Sequence, residues 1–177
     1  MLDLSGVPIL SAIIFTPLLG AFILALIPSQ NVVAIRWAAL FFALAAFALS
    51  LVAVLGFDID QGGYQFQENV AWIPFFGINY HVGMDGISLT LVVLTTLLSW
   101  IAILGSFGPI KHRVKEYMIA FLVLEVGMLG VFLSLDLFLF YIFWEIVLVP
   151  MYLIIGIWGG ANRIYATIKF VLYTLVG

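Results

Sequence analysis

The sequence contains no cysteine and very few charged residues. Cysteine is absent from all 177 positions, which excludes a disulfide or a thiolate metal site within this chain. Charged residues make up 8% of the chain, whereas a soluble domain carries about 25%. The six basic and nine acidic residues cannot cover a water-exposed surface, so most of the surface must face lipid. No basic patch is present, so the sequence gives no sign of a nucleic-acid partner.

What the chain has instead is long apolar runs. Hydrophobic residues make up 66% of the chain and the mean hydropathy is +1.29. A membrane-spanning helix needs about 20 mostly apolar residues, a length that also excludes the alternating strands of about 10 residues in a β-barrel. The pattern predicts an all-α, polytopic membrane helix bundle with about six transmembrane helices. The predicted helices cover residues 7–28, 32–56, 84–107, 117–135 and 137–159, with a sixth starting near 164.

One long polar stretch separates the second and third helices. It covers residues 57–83 and contains the turn-forming pair Gly62-Gly63. Alternation through Tyr64, Phe66 and Val70 favours either a short hairpin or an amphipathic surface segment.

The distribution of charge predicts the orientation. Basic residues lie at alternate loops, which share one side of the membrane: Arg36, Lys111, Arg113, Lys115 and Arg163. The opposite side receives acids alone: Asp3, Asp58, Asp60, Glu68 and Asp136. Basic loops stay in the cytoplasm, so we expect the N-terminus outside. The first apolar run has no basic region ahead of it and is long for a signal peptide, so we expect a retained helix.

The last segment is short for a spanning helix. Residues 164–177 are apolar and carry no flanking charge. About fourteen residues at ~1.5 Å each do not cross a core of ~30 Å. We therefore expect the chain to be the N-terminal part of a longer protein.

Glu145 is the first candidate for function. It lies about eight residues, or roughly 12 Å, into the fifth helix, with Tyr141 and Tyr152 on the same face. Pro150 cannot donate to the carbonyl of Ile146 and is expected to kink the helix. Desolvation favours the protonated acid and a nearby lysine favours the carboxylate, so this group is suited to relay protons. The alternative is a structural glutamate bonded to a neighbouring helix.

Glu125 is the second candidate. It lies near the middle of the fourth helix, which a short turn joins to the fifth. Glu125 and Glu145 are therefore at similar depths on adjacent helices. They form a relay pair with coupled titration or face different neighbours. Gly127, Gly130 and Ser134 are expected to allow close helix packing.

Asp85 precedes the third helix and has two interpretations. Aspartate is a favoured N-cap residue and complements the helix dipole. Alternatively, Asp85 supports transport together with Ser88, Thr95 and Ser99, which continue its face with Val92 between them.

Lys169 lies about six residues into the sixth helix. Its side chain either extends to the membrane interface or balances the charge of Glu145 from the neighbouring helix. His81 and His112 are predicted on opposite sides of the membrane, so they cannot form a metal pair. No cofactor-binding or metal motif is present.

Several stretches resemble one protein family. Residues 83–89 (GMDGISL) and 94–96 (LTT) are similar to the third helix of the antiporter-like membrane subunits of proton-pumping NADH:quinone oxidoreductase, or respiratory complex I. Residues 140–152 (FYIFWEIVLVPMY) resemble the fifth helix of its M-type subunits, called subunit four in mitochondria. Residues 158–160 and 169–177 continue the likeness.

The resemblance implies a fourteen-helix subunit with two inverted five-helix repeats. Residues 1–107 would form three accessory helices with an external loop at 57–83, and 108–177 would begin the first repeat with two complete helices and part of a third. Glu145 matches the family glutamate that pairs with a lysine on the seventh helix, and Lys169 is not that lysine. Asp85 matches an acidic position common to these subunits.

The resemblance further implies that NADH, flavin, iron–sulfur clusters and quinone bind to partner subunits and not to this chain. The partners would be other membrane-arm subunits and the lipid bilayer. The expected location is a bacterial inner membrane, ahead of a mitochondrial inner or thylakoid membrane. A proton-translocating subunit is thus the leading hypothesis. The alternatives are a subunit of an Mrp-type sodium/proton antiporter or membrane-bound hydrogenase, or a purely structural membrane-arm subunit.

Overall fold

A computed structural model describes residues 7–176 of the chain. Within these residues six α-helices form, and each lies within a few residues of its predicted range. Five of them are long and apolar enough to cross a membrane, whereas α6 has 14 residues. The elements are α1 (Ile9–Leu26), α2 (Val32–Gly56), β1 (Gln65–Ile73), β2 (Ile78–Met84), α3 (Gly86–Gly105), α4 (Val114–Leu133), α5 (Leu137–Trp158) and α6 (Arg163–Val176). The chain is therefore a mostly helical, multi-pass membrane protein, as the apolar runs predicted.

Helix α4 occupies the centre of the bundle. It packs against α1, α2, α3 and α5 and contributes to both apolar cores. Leu129 and Leu133 belong to the core nearer the hairpin, and Met118 and Leu122 belong to the core nearer the basic loops. Large apolar side chains cover the outside of the bundle, Phe22 among them at 65% exposed. Apolar surface of this extent fits contact with lipid.

Small residues bring α4 and α5 close together. A methyl group at Gly127 would lie 2.6 Å from Val147 Cγ2, and one at Gly130 would overlap the Phe143 ring. Only glycine leaves room for these two side chains, so the prediction of close packing is confirmed for Gly127 and Gly130. Ser134, the third predicted position, is the C-cap of α4 and pairs with Val82 of the hairpin.

Side chains from distant segments cap both ends of α1. Pro8 precedes the helix and offers no side-chain cap. Instead, the Glu68 carboxylate in β1 accepts hydrogen bonds from the backbone N–H groups of Leu10 (2.8 Å) and Ser11 (3.1 Å). At the other end, Lys115 Nζ donates to the Ala25 carbonyl at 2.7 Å. Both charges complement the helix dipole and satisfy backbone groups that the helix itself leaves unpaired.

The polar stretch before α3 forms an antiparallel hairpin, so the first of the two predicted alternatives is correct. Its turn is a short 3-10 helix, Pro74–Phe76, followed by Gly77 with φ of 67°. The pair Gly62-Gly63 lies before β1, where the chain bends and Gly63 has φ of 92°, so it is not the turn of the hairpin. Gly77 occupies the left-handed region, which favours glycine.

The hairpin also docks on the turn between α4 and α5. The Leu135 N–H donates to the His81 carbonyl at 2.8 Å. Asp136 caps α5 by accepting from the Leu139 N–H at 3.1 Å. It also accepts from the Asn79 N–H of β2 at 3.4 Å. These N–H donors, that of Leu139 first, hold the pKa of Asp136 below its ordinary value. The hairpin is thus attached to both α1 and α5.

Candidate functional site

Glu145 lies on the side of α5 that faces away from α4. Phe143 and Val147 contact α4 at its two glycines, and Glu145 is two residues from each. Because successive residues in a helix are about 100° apart, a separation of two residues places Glu145 on the opposite side. It lies about 12 Å along the helix from Leu137.

The face that carries Glu145 is polar and partly open. Tyr141, one turn before it, is 58% exposed, and Tyr152, two turns after it, is 50% exposed. The Tyr141 phenol is close enough to interact with the Glu145 carboxyl. In a bilayer, such groups need partners from protein or internal water.

Pro150 lies in the same helix, and α5 continues through it without a break. Proline has no backbone N–H, so the Ile146 carbonyl lacks its usual donor four residues later. This carbonyl is one turn of helix or less from Glu145 and adds an acceptor to the neighbourhood of the carboxyl.

Lys169 does not reach Glu145. Helix α6 meets α5 where Gly156 lies 3.6 Å from the Thr167 hydroxyl, measured from a methyl group placed on the glycine. Glu145 lies eleven residues before Gly156, about 16 Å along α5, and Lys169 lies two residues after Thr167, about 3 Å along α6. Because α6 runs back alongside α5, both distances point the same way, and the two residues are about 13 Å apart along the helix axes. Lys169 is exposed and lies over the Tyr165 ring, 5.9 Å from its centre. The predicted charge balance between Lys169 and Glu145 is therefore absent from the described residues.

Asp85 is the N-cap of α3. Its carboxylate accepts from the Ser88 N–H at 2.7 Å, and the Asp85 N–H donates to the Ser88 hydroxyl at 2.8 Å. This reciprocal capping box confirms the first of the two interpretations. The N–H of Ser88, followed by its hydroxyl, holds the pKa of Asp85 below its ordinary value.

Glu125 is enclosed within the bundle on the side of α4 that faces away from α5. It is 0% exposed, and neither carboxyl oxygen has a hydrogen-bond partner among residues 7–176. The Ser99 hydroxyl of α3 approaches the carboxyl without completing a hydrogen bond. Gly127 faces α5 and lies two residues from Glu125, so the two acids point away from each other. The structure therefore does not bring Glu125 and Glu145 into direct contact.

The buried face of α3 carries a row of hydroxyls. Sequence reasoning placed Thr95 on this face, but Thr95 is half-buried and Thr96 is the fully buried threonine. Thr96 Oγ1 lies 2.9 Å from the hydroxyl of Ser50 on α2, a residue that sequence reasoning missed. The spacing of the buried hydroxyl residues on α3 (Ser88, Thr96 and Ser99) was the signal in the sequence for a polar face on this helix.

The described residues offer no group of three or more histidine, aspartate or glutamate side chains that could hold a metal ion.

The geometry can be compared with known proteins. A family model described as NADH:quinone oxidoreductase/Mrp antiporter, TM, matches residues 134–177, which include Glu145. NADH-quinone oxidoreductase subunit M of Rhodobacter capsulatus is 50% identical over 173 residues, 96% of this chain and 33% of the relative. The chain is a homologue of subunit M. The Rickettsia conorii subunit M is 43% identical over 175 residues, again 96% of this chain and 36% of the relative.

Chain 4 of the NADH-ubiquinone oxidoreductase of Marchantia polymorpha is 46% identical over 169 residues, 95% of this chain and 34% of the relative. The chain thus spans about a third of the length of the curated subunit M and chain 4 relatives that it matches. The likeness covers 95–96% of this chain and so extends beyond the stretches that carry the resemblance in the sequence.

Solved structures agree in fold. A chain of respiratory complex I from Thermus thermophilus has a TM-score of 0.78 and 25% identity, covering 94% of this chain and 33% of that chain. A chain of the membrane-bound sulfane sulfur reductase, an archaeal respiratory membrane complex, has a TM-score of 0.69 and 19% identity, covering 93% of this chain and 34% of that chain. The second likeness concerns the fold alone.

Proposed function

We propose that this chain is part of a proton-translocating membrane subunit of NADH:quinone oxidoreductase, in which remote electron transfer drives proton movement. The observation that carries the proposal is the placement of Glu145. An acid lies deep in an apolar helix, beside a phenol, on a face that α4 does not cover. An ionisable residue inside a membrane helix is costly and points to function. The chain as a whole is 43% and 50% identical to two subunit M relatives, over 175 and 173 residues.

In this proposal Glu145 takes up and releases a proton within the membrane. Tyr141 positions the carboxyl, and Tyr152 and the free Ile146 carbonyl supply further polar groups for internal water. The cation that balances Glu145 belongs to another part of the full-length subunit. Electron transfer, with NADH, flavin, iron–sulfur clusters and quinone, belongs to partner subunits of the membrane arm and beyond.

The arrangement in the membrane is part of the same proposal. The end of the bundle that carries Arg36, Lys111 and Arg163 faces the cytoplasm, and the hairpin faces outward. Helices α1 to α3 serve as accessory helices for a transport repeat that begins at α4. The membrane is a bacterial inner membrane, which fits the bacterial relatives.

The test replaces Glu145 by glutamine in the full-length subunit of the assembled complex. Glutamine keeps the shape of the side chain but cannot exchange a proton, so we expect assembly to survive and redox-driven pumping to be lost. Proton uptake by vesicles is measured together with quinone reduction and the amount of assembled complex. Glu116→Gln, an exposed acid at the start of α4, is the control.

Pumping that persists at the normal rate in an assembled Glu145→Gln complex would contradict the proposal. A loss of assembly with unchanged pumping per assembled complex would support the structural alternative instead.

A second candidate function is a subunit of an Mrp-type sodium/proton antiporter or a membrane-bound hydrogenase. The description of the matching family model, which includes the Mrp antiporter, supports this candidate. Sodium-dependent proton exchange without a quinone reductase partner would decide for this candidate.

A further inference from the structure

A second polar cluster lies on the opposite side of α4 from the Glu145 face. It joins three helices: Ser50 comes from α2, Thr96 and Ser99 from α3, and Glu125 from α4. Each of these side chains is at most 2% exposed. The cluster lies in the middle of the bundle, with Glu125 about 12 Å from the outer end of α4 and about 16 Å from its inner end.

Glu125 needs a partner at this position. An unpaired carboxylate in a protein interior costs several kcal/mol, and both oxygens lack a hydrogen-bond partner among residues 7–176. The ion pair found in that part of the chain joins Arg113 to Glu116 at the end of the bundle, far from the cluster. Among residues 7–176, the cation available to neutralise Glu125 is therefore a proton.

The hydroxyls provide the means of moving that proton. The Ser50 and Thr96 hydroxyls are 2.9 Å apart, and Thr96 Oγ1 also donates to the Val92 carbonyl at 3.0 Å. Ser99 is one turn further along the same face and approaches the carboxyl. A hydroxyl both donates and accepts, and internal water binds where two to four such polar groups converge. The Ser99 hydroxyl and the two Glu125 oxygens meet that requirement.

We propose that Glu125, with the hydroxyls of Ser99, Thr96 and Ser50, forms an internal water-binding site where Glu125 binds and releases a proton separately from Glu145. Uptake transfers one proton from protonated water to the carboxylate and leaves neutral water; release is the reverse, and no other bond changes. The inference rests on the proposed function and adds a site on the α2–α3 side of α4. The two acids face away from each other, so exchange between them requires intervening water or further parts of the subunit.

The experiment uses the assembled complex with the full-length subunit in vesicles. Three variants are compared: Glu125→Gln, Ser99→Ala and Thr96→Val. Glu116→Gln is the matched control for Glu125→Gln. Thr90→Val is the matched control for Thr96→Val, because Thr90 is exposed and its hydroxyl donates to the carbonyl four residues earlier at 3.0 Å, as that of Thr96 does. Quinone reduction, proton uptake per electron and the infrared carbonyl band of protonated carboxylic acids in H₂O and D₂O are recorded.

We expect Glu125→Gln to retain assembly, to lose proton uptake per electron and to lose one carbonyl band that shifts in D₂O. Ser99→Ala should shift that band and lower proton uptake, and Thr96→Val should lower uptake, whereas both controls should behave as wild type. Glutamine preserves the shape and hydrogen bonding of a purely structural acid, so normal pumping and an unchanged spectrum in Glu125→Gln would overturn the inference.

Two further outcomes are decisive. If Glu125→Gln fails to assemble, Ser99→Ala decides, and an unshifted band with normal uptake there overturns the inference. If Glu145→Gln in the same preparation also pumps normally, the proposed function fails. If Glu145→Gln loses pumping while Glu125→Gln retains it, only the second site fails.

Discussion

Replacing Glu68 by alanine should release the N-terminus of α1. The N–H groups of Leu10 and Ser11 have no partner within the helix and donate to Glu68 instead. Losing an N-cap costs about 0.5–2 kcal/mol, and hydrogen bonds to a charged group contribute about 1.5–3 kcal/mol. Because Glu68 is half-buried, we expect its loss to lower the free energy of opening the first turn of α1 by about 2 kcal/mol. At 1.36 kcal/mol per tenfold, this corresponds to roughly a 30-fold change in the opening equilibrium.

Amide hydrogen exchange measures this effect directly, since Glu68 is the hydrogen-bond acceptor of these two N–H groups among residues 7–176. In a bilayer disc, Glu68→Ala should speed exchange at Leu10 and Ser11 by about 30-fold and leave the middle of α1 unchanged. Glu68→Gln retains an oxygen acceptor without the charge and should give a smaller increase. Asp60→Asn, an exposed acid in the same loop, is the control. If exchange at Leu10 and Ser11 in Glu68→Ala matches wild type, the capping of α1 by Glu68 is refuted.

Two further predictions concern packing and pH. Gly130→Ala forces a methyl group against the Phe143 ring and should destabilise the bundle by about 1–3 kcal/mol, measured by thermal unfolding. Gly105→Ala is the control, because a methyl group there meets nothing within 4 Å and causes no clash. Equal melting temperatures for the two variants would contradict this prediction. The carboxylate of Asp136 has a pKa below its ordinary value, so its stabilising contribution is complete above the unfolded-state pKa of about 3.9 and is lost as the pH falls through the lower folded-state pKa. Melting temperatures should therefore converge for wild type and Asp136→Asn as the pH is lowered below about 4, and a constant difference down to pH 2 would contradict the assignment.

The helices were predictable because lipid imposes a length. An uninterrupted apolar run of about 20 residues has few alternatives to a spanning helix, and helix ends at Asp85 and Asp136 have ordinary capping chemistry. The hairpin was one of two expectations because period-two alternation is short and weak there. The position of its turn, at Pro74–Phe76 and Gly77, was not predicted, since the glycine pair at 62–63 marks a bend without specifying which strands follow it.

The directions of the two buried acids were not predictable from the sequence. Depth along a helix follows from residue number, but rotation about the axis depends on which face meets the neighbour. Here Gly127 and Gly130 decide that rotation by admitting Val147 and Phe143. An error of one residue turns a side chain by about 100°. That is why Thr95 was expected where Thr96 lies.

The capping of α1 from distant segments has a consequence for biogenesis. Glu68 lies 58 residues after Leu10, and Lys115 lies 90 residues after Ala25. At about 5–20 residues per second of synthesis, the second cap emerges roughly 5–20 s after the end of the helix that it holds. Glu68 emerges earlier than Lys115, so in the last part of that interval the first inserted helix lies in the bilayer with its N-terminal end capped and its other end unsecured. Its final placement is therefore completed by the arrival of α4 and not by its own insertion.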